Sequence, residues 1–416
     1  MNLENTKVLP TDRTKFFKYV YDGDFKGVVK YIEDKHFDPN TYFEDDSALT
    51  ISASIGNLTI VKYLVEQQHV DPNQMTKDDY TPLMLASQNS HLQVVKYLSS
   101  NKAVDVSFTN EKGADALILA ISGNNFDIVK YLVEEKHADV FKVYSDSNLT
   151  IHHAAIAGNV AMLEYLLNKD YKNKTTAVNI PGMNGMSILQ YAAANGHLNA
   201  TKYLFENFSK INKNYLNYND VSAVMLAAIG GFLDIVKYLI EDQHVDTDIV
   251  TKEGINLTFM SILGGNLELV KYLIKKLNFD VNKKFSGGTS CSLVAAQTNH
   301  VKVLKFLINK HNIDPNDKLE DGSSMVFMAA ENGAILMLKF LINELNLDAN
   351  EVNNNGESPL MIAVRYGYLE VVEFLVENAG VDITLKSKNG STALSMAEEA
   401  NHFLIAHYLN LKLGRL

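Results

Sequence analysis

The tripeptide Lys-Tyr-Leu and its close variants return along this chain at a nearly constant interval. Successive copies lie 34 residues apart, except for steps of 38 and 35 near the middle. A fixed period of this size predicts a solenoid of stacked repeats, in which each repeat packs only on its neighbours. The aromatic member of the motif falls at Tyr63, Tyr97, Tyr131, Tyr165, Tyr203, Tyr238, Tyr272, Phe306, Phe340, Phe374 and Tyr408.

Composition narrows the classes of partner and compartment. The 416 residues carry a formal net charge of −11, which disfavours bulk attraction to nucleic acid or anionic lipid. The single cysteine cannot form a disulfide within the chain, and this is typical of a reducing compartment. No run of 18 apolar residues occurs, so we expect no membrane insertion. These features favour a cytoplasmic location, with export into a host-cell cytosol as a variant.

Each period contains signals for two short helices. In the repeat that begins at Tyr80, Thr81 and Pro82 are typical of a helix start, and apolar residues from Leu92 to Leu98 follow at helical spacing. Later repeats place a glycine between the two helices, as at Gly158, and a pair of alanines before it. Glycine supplies the left-handed turn that ends the first helix.

These residues resemble the ankyrin-repeat family. Its pattern is followed by Asn355-Gly356-Glu357-Ser358-Pro359-Leu360-Met361-Ile362-Ala363, and its loop ending by Phe279-Asp280-Val281-Asn282. The resemblance implies an all-α solenoid of about twelve helix-turn-helix units with short hairpin loops, in a curved right-handed stack. We expect a polar lead over 1–13, the array over 14–410 and a short apolar tail over 411–416. The N-terminal cap would span 14–43 and the last unit 388–410.

No catalytic or metal-binding signature is present in the sequence. Most histidines fall in two columns, one after the second helix and one after the break between the helices. Because stacked helices lie about 8–10 Å apart, residues one repeat apart cannot readily share a zinc ion. We therefore expect the histidines of both columns to be structural, and we expect no catalytic residue, no metal and no cofactor. His152, His153 and Tyr191 are expected to be structural, with a ligand-facing site as the alternative.

The family resemblance implies a partner on the concave face. Two columns that vary among ankyrin repeats are apolar only in the middle of this chain, over units five to eight. This pattern predicts a non-catalytic module that binds a protein or peptide there, and it favours a monomer. The predicted partner-binding residues are Tyr144, Ile156, Met183, Met186, Tyr218, Val221, Ile229, Ile255 and Leu263.

Two rival functions remain open. The array could be the targeting or substrate-recruiting part of a larger enzyme or a secreted effector, and the apolar stretch Leu411 to Leu416 is the feature behind this alternative. A weaker one is a modifying enzyme that uses His152, His153 and Tyr191. Extra residues between units five and six, Lys169 to Thr176, form a basic segment that we expect in a surface loop near the partner.

Overall fold

Twelve repeats, each a pair of packed helices, make up the part of the chain that the structure describes. The computed structural model describes residues 10–169 and 178–414. The chain divides into two compact halves, Met1–Asn212 with repeats 1–6 and Lys213–Leu416 with repeats 7–12. Each half is an all-α repeat solenoid, as the family resemblance implied.

Repeats 1–6 form the N-terminal half. A two-stranded hairpin, Tyr42–Phe43 paired antiparallel with Asp46–Ser47, precedes repeat 2, and a short 3₁₀ turn, Met183–Gly185, precedes repeat 6. In repeat 2 the second helix continues as a π-helical turn, Tyr63–Gln67. The helix pairs are Pro10–Tyr21 and Phe25–Lys35, Ala48–Ser54 and Leu58–Lys62, Pro82–Gln88 and Leu92–Ser100, Ala116–Ser122 and Phe126–Glu135, Thr150–Ala157 and Val160–Asn168, and Ile188–Ala194 and Leu198–Asn207.

Repeats 7–12 form the C-terminal half. The second helices of repeats 7 and 10 also continue as π-helical turns, Tyr238–Asp242 and Phe340–Glu344, and a 3₁₀ turn, Ser286–Gly288, precedes repeat 9. The helix pairs are Ala223–Ile229 and Leu233–Lys237, Leu257–Gly264 and Leu267–Leu277, Cys291–Gln297 and Val301–His311, Met325–Glu331 and Ile335–Lys339, Pro359–Arg365 and Leu369–Asn378, and Ala393–Glu399 and Phe403–Lys412.

Polar side chains fix where the first helices begin. The hydroxyl of Ser222 accepts the N–H of Met225, and the hydroxyl of Ser358 accepts the N–H of Met361, as expected for helix caps. Most of these helices have only seven or eight residues, too few to be stable alone, so packing must hold them. Within each half, the first helices of neighbouring repeats pack side by side.

The hairpin before each first helix closes in the same way from repeat to repeat. The N–H of Asn217 donates to the carbonyl of Val221 at 3.2 Å, and the N–H of Thr251 donates to that of Ile255 at 2.9 Å. In the hairpin before repeat 7, the N–H of Asp220 also donates to the carbonyl of Asn217 at 3.0 Å. This turn therefore holds the residue in front of each first helix at an equivalent place in successive repeats.

Histidines after the break between the helices join neighbouring repeats. Nε2 of His300 donates to the carbonyl of Leu263 in the preceding repeat at 2.9 Å, and Gly265 makes room for the imidazole. A Cβ on Gly265 would lie 2.2 Å from the ring, and its φ of +74° is costly for other residues. Equivalent bonds run from His91 to Ser54 O, from His197 to Ile156 O and from His402 to Arg365 O. The geometry thus gives this histidine column a structural role, as the sequence indicated.

Replacing Gly265 by alanine should lower the free energy of unfolding of the C-terminal half by about 2–3 kcal/mol. The loss combines backbone strain with displacement of His300 from the carbonyl of Leu263. Gly254→Ala is the matched control, because Gly254 has a φ of +78° but no atom within 4 Å of the added methyl. Gly254→Ala should lower the free energy of unfolding by about 1 kcal/mol. Equal urea midpoints for the two variants would contradict this role for His300.

The array extends at both ends beyond the limits expected from the sequence. The first helix begins at Pro10, inside the stretch expected to be a lead, and the last helix continues over Leu411 and Lys412. Much of the expected lead lies outside the described residues. The same is true of the basic segment between repeats 5 and 6, apart from Lys169, and of Leu416.

Candidate functional site

In the N-terminal half, the predicted partner-binding residues differ in exposure. Met183, in the turn before repeat 6, is exposed, whereas Met186 and Ile156 are half-buried. Tyr144 is only 6% exposed, and its hydroxyl donates to Oδ1 of Asp115 at 3.2 Å. Tyr144 is therefore a packed side chain and not an exposed anchor, because the hairpin before repeat 5 turns its ring inward.

In the C-terminal half, Tyr218 is 69% exposed in the hairpin before repeat 7, and Ile229 is exposed at the end of the first helix of that repeat. Val221, Ile255 and Leu263 are half-buried. Ile255 and Leu263 pack against the core of their half. These three side chains therefore contribute partly to the interior and partly to the surface.

The two apolar columns lie at opposite ends of the first helices. Val221 precedes the helix Ala223–Ile229, and Ile229 is its last residue, so about 10 Å of helix separates them. Ile255 and Leu263 flank the next first helix, Leu257–Gly264, in the same manner. The first helices of repeats 7 and 8 pack on each other. Val221 and Ile255 therefore lie at one end of these two helices, and Ile229 and Leu263 lie at the other end.

A third apolar column was missed in the sequence. It occupies the residue before each hairpin turn, and it includes Val143, Leu216 and Val250, all exposed. Phe141, two residues before Val143, is also exposed. The sequence contained the signal for this column, because residues at this position recur with the period of the repeats. We name the exposed residues Phe141, Val143 and Met183 the N-terminal patch, and Leu216, Tyr218, Ile229 and Val250 the C-terminal patch.

His152 and Tyr191 are held by hydrogen bonds between repeats 5 and 6. Nδ1 of His152 accepts the N–H of Leu149 at 2.9 Å, and Nε2 donates to the carbonyl of Ile180 at 3.0 Å. The hydroxyl of Tyr191 donates to Oδ1 of Asn148 at 2.8 Å. Burial lowers the pKa of His152, which keeps the ring neutral, as the bond from Leu149 requires. Every polar atom of this ring thus has a structural partner.

His153 belongs to a second polar group at the start of repeat 5. Its Nε2 lies 3.3 Å from Oδ2 of Asp146, and its ring meets the ring of Tyr144 edge-on at 5.5 Å between centroids. Burial lowers the pKa of His153, against the opposing effect of Asp146. Burial acts to raise the pKa of Asp146, but hydrogen bonds from Asn148 outweigh it and the pKa lies below its usual range. His153 therefore lies in a packed polar group with Tyr144 and Asp146.

Asp115 is the buried anion next to this group. Its Oδ1 accepts the N–H of Ile118 at 2.9 Å and the hydroxyl of Tyr144, and its Oδ2 pairs with Nζ of Lys142 at 2.7 Å. Burial and the neighbouring carboxylate of Asp115 raise the pKa of Tyr144. The group therefore caps a helix and fixes the hairpin before repeat 5.

The second helices carry a ladder of lysines over aromatic rings. Nζ of Lys305 lies 4.7 Å from the centroid of Phe340 in the following repeat, and Nζ of Lys271 lies 5.8 Å from that of Phe306. Lys271 also forms an ion pair with Glu268, at 2.8 Å. The hydroxyl of Tyr272 donates to Glu241 of the preceding repeat at 2.9 Å. The aromatic column therefore packs between neighbouring repeats.

The single cysteine, Cys291, is buried at the start of the first helix of repeat 9. Burial raises the pKa of the Cys291 thiol to about 12, which suppresses the reactive thiolate at neutral pH. Within the ranges that the structure describes, histidine, cysteine, aspartate and glutamate side chains form no group that could hold a metal ion. No helix in those ranges is both long and apolar enough to cross a membrane.

Comparison with known proteins agrees with the repeat architecture. A curated relative, alpha-latrocrustotoxin-Lt1a of Latrodectus tredecimguttatus, is 39% identical over 69 residues, which are 17% of this chain and 5% of the toxin. The chain thus matches only a small part of the length of that relative. The family model described as ankyrin repeats (3 copies) matches residues 17–110, 102–177, 173–250, 224–318, 293–387 and 326–412. The chain belongs to the ankyrin-repeat family.

Proposed function

We propose that this chain is a non-catalytic module that binds a protein or peptide partner on its central repeats. Ankyrin repeats are protein-interaction modules, and this family membership supports the general class. The observation that carries the finer proposal is the C-terminal patch, in which four large apolar side chains are exposed on two consecutive repeats. Apolar side chains clustered on a surface are typical of protein-binding sites.

The chemistry of the C-terminal patch indicates its partner. Tyr218 offers a large ring and a hydroxyl at low entropic cost, and such residues dominate binding energy at interfaces. Ile229 and Val250 offer purely apolar contacts at opposite ends of the first helices. We infer a partner segment with two or three apolar anchors, flanked by basic residues that suit the net charge of −11. Val221, Ile255 and Leu263 are half-buried in the same two repeats, and we include them in the proposed contact surface.

The N-terminal patch is a second contact region for the same class of partner. Phe141, Val143 and Met183 are apolar and exposed near the turns before repeats 5 and 6. The polar group of Asp115, Lys142 and Tyr144 holds the hairpin that presents Phe141 and Val143. A pre-formed hairpin reduces the entropy that would be lost on binding.

Replacing Val250 by glutamate is expected to weaken partner binding by about tenfold or more, because the complex would then bury a charge. Ile229→Glu should act in the same direction. Val352→Glu is the matched control, because Val352 holds the same column in repeat 11 with 45% exposure, against 49% for Val250. Partners captured by the wild-type chain are identified by mass spectrometry, and their affinities for each variant are then measured by calorimetry. Equal affinities for the Val250→Glu and Val352→Glu variants would remove the C-terminal patch from the proposal.

A second candidate is a recruiting part of a secreted effector. The local similarity to a segment of a much longer toxin is the observation that favours it. The size of the natural product distinguishes the two candidates, since an effector of this kind would carry further chain. An endogenous protein of the 46.4 kDa of this chain would count against the second candidate.

A further inference from the structure

The first helix of repeat 8 departs from most other repeats at one buried position. In repeats 2–7 and 10–12 that position holds a buried aliphatic side chain, as at Leu189 and Leu360. In repeat 8 it holds Thr258 and in repeat 9 Ser292, and both are buried as well. These two shorter side chains leave space that the other repeats fill.

A cavity of about 230 Å³ opens beside Thr258. Its walls come from the arm before the hairpin of repeat 8, the start of the first helix of that repeat and the loop after its second helix. Val250, Leu257, Leu277 and Phe279 line it with apolar surface. About 150 Å³ is enough to enclose a benzene ring, whereas pockets for drug-sized ligands measure roughly 300–1,000 Å³. The cavity therefore suits one large apolar side chain.

The hydroxyl of Thr258 gives the cavity a polar group. Thr258 is only 1% exposed and lines the cavity, yet within the described residues its hydroxyl makes no hydrogen bond. Ser292, at the same position in repeat 9, differs, because its hydroxyl bonds to that of Ser290 at 2.9 Å. A buried hydroxyl without a partner is costly, and a ligand that supplies the partner removes that cost. The ligand should therefore carry a polar group beside its apolar part.

Asp248 adds an unpaired negative charge. It lines the cavity and is exposed, and it forms no ion pair with any described residue. The neighbouring lysines have other contacts. Nζ of Lys283 lies 5.9 Å from the ring centroid of Phe285, and Nζ of Lys284 pairs with Asp317 at 2.6 Å. A cation carried by the ligand would therefore meet a carboxylate that has no competing partner.

We propose that the cavity receives one apolar side chain of a peptide partner, from a residue that is adjacent to a basic residue. The apolar side chain packs on Leu277 and Phe279, the backbone of the same residue bonds to the hydroxyl of Thr258, and the basic neighbour pairs with Asp248. Val250 belongs to both the cavity and the C-terminal patch. The inference therefore rests on the proposed function, and it adds the size and the sequence context of one anchor.

Methyl NMR on the full chain tests the cavity with a defined probe, the capped dipeptide acetyl-leucyl-lysine amide. The dipeptide should shift the methyl signals of Val250 and Leu277, which line the cavity. Val352→Glu is the matched control, because Val352 holds the column of Val250 in repeat 11, and it should bind the dipeptide as the wild type does. Absence of shifts at Val250 and Leu277 would overturn the proposal.

Two substitutions of Thr258 separate the space from the hydroxyl. Thr258→Leu should weaken dipeptide binding by about tenfold or more, because leucine fills the space as it does in other repeats. Filling a cavity should leave thermal stability equal or higher. Thr258→Val keeps the volume and should weaken binding by about threefold to tenfold through loss of the hydroxyl. Equal affinity of the wild type and both variants would contradict the assignment of the dipeptide to this cavity.

Further probes test the charge and the source of the side chain. The capped dipeptide of leucine and glutamate should bind at least about threefold more weakly than the lysine dipeptide, and Asp248→Asn should remove most of that difference. Asp234→Asn is the matched control, since Asp234 is exposed on repeat 7 and does not line the cavity. Equal binding of the two dipeptides would exclude the basic neighbour. Free leucine should bind more weakly than the capped dipeptides, and tighter binding would assign the cavity to a free amino acid.

The captured partner distinguishes failure of this inference from failure of the proposed function. Thr258→Leu and Ile229→Glu should both weaken partner binding in calorimetry. Weaker binding with Ile229→Glu but not with Thr258→Leu would remove the cavity from the interface and leave the proposed function intact. Unchanged partner binding with both variants would remove the proposed function, and with it the assignment of the cavity to a partner.

Discussion

Replacing His152 by alanine is expected to lower the free energy of unfolding of the N-terminal half by about 3 kcal/mol. The substitution leaves the buried N–H of Leu149 and the carbonyl of Ile180 without their partners. It also leaves a void beside the ring of Tyr191, which lies 5.6 Å from the imidazole between centroids. Urea unfolding, with hydrogen exchange resolved for the helix Thr150–Ala157, measures the loss.

His152→Gln is the matched control. Gln190 holds the same position in repeat 6, where its Oε1 accepts the N–H of Ser187 at 2.9 Å. Glutamine at 152 should therefore keep the bond from Leu149 and lose only the bond to Ile180, at a cost of about 1 kcal/mol. Equal losses for the alanine and glutamine variants would show that the capping bond contributes little.

The same residue should make the N-terminal half sensitive to acid. Burial holds the pKa of His152 below its usual value, so the unfolded chain takes up a proton at about pH 6.5 that the folded chain resists. The free energy of unfolding therefore falls as the pH drops below that value, and this contribution is absent at higher pH. The wild-type chain should lose more stability between pH 7 and pH 5 than His152→Gln does.

Replacing Asp115 by alanine should lower the free energy of unfolding of the N-terminal half by about 3 kcal/mol. The helix Ala116–Ser122 would lose its cap, and the hydroxyl of Tyr144 would lose a buried acceptor. Lys142 would lose its ion pair, although its ammonium would still donate to Thr109. Because the hairpin carries Phe141 and Val143, binding at the N-terminal patch should weaken as well. Chemical denaturation and calorimetry with the captured partner measure the two effects.

Asp115→Asn separates the cap from the charge. The amide oxygen can still accept from Ile118 and Tyr144, so only the ion pair with Lys142 is lost and about 1 kcal/mol is expected. If the asparagine variant is as unstable as the alanine variant, the ion pair and not the cap is the main contribution. In that case Lys142→Met should be equally destabilising.

The sequence predicted the fold well because its strongest signal was periodic. A repeat that recurs every 34 residues places equivalent residues at equivalent positions. The structure predicted for one clear repeat therefore applies to the others. The same logic correctly predicted that the histidines after the break are structural. What it did not predict is the partner of each one, since His300 and Leu263 are neighbours only across two stacked repeats.

The exposure of the side chains in the candidate site could not be predicted from the sequence. A column can be read from a sequence, but the direction of each side chain depends on the hairpin that carries it. Tyr144 appeared to be an anchor, yet its hydroxyl turns towards Asp115 and the ring is buried. Val143, one residue earlier, is the exposed one. The sequence also could not show that lysines of the second helices cover rings in the next repeat.

The bonds from His91, His197, His300 and His402 all run in one direction along the chain. In each pair, the later repeat holds the donor and the earlier repeat the acceptor. If the later repeat unfolds, a backbone carbonyl oxygen of the earlier repeat loses its hydrogen-bond donor and must be hydrated. If the earlier repeat melts, only a side chain is released, and it can rotate into solvent. Unfolding that begins at the N-terminal end of either half therefore differs in free energy from unfolding that begins at its C-terminal end.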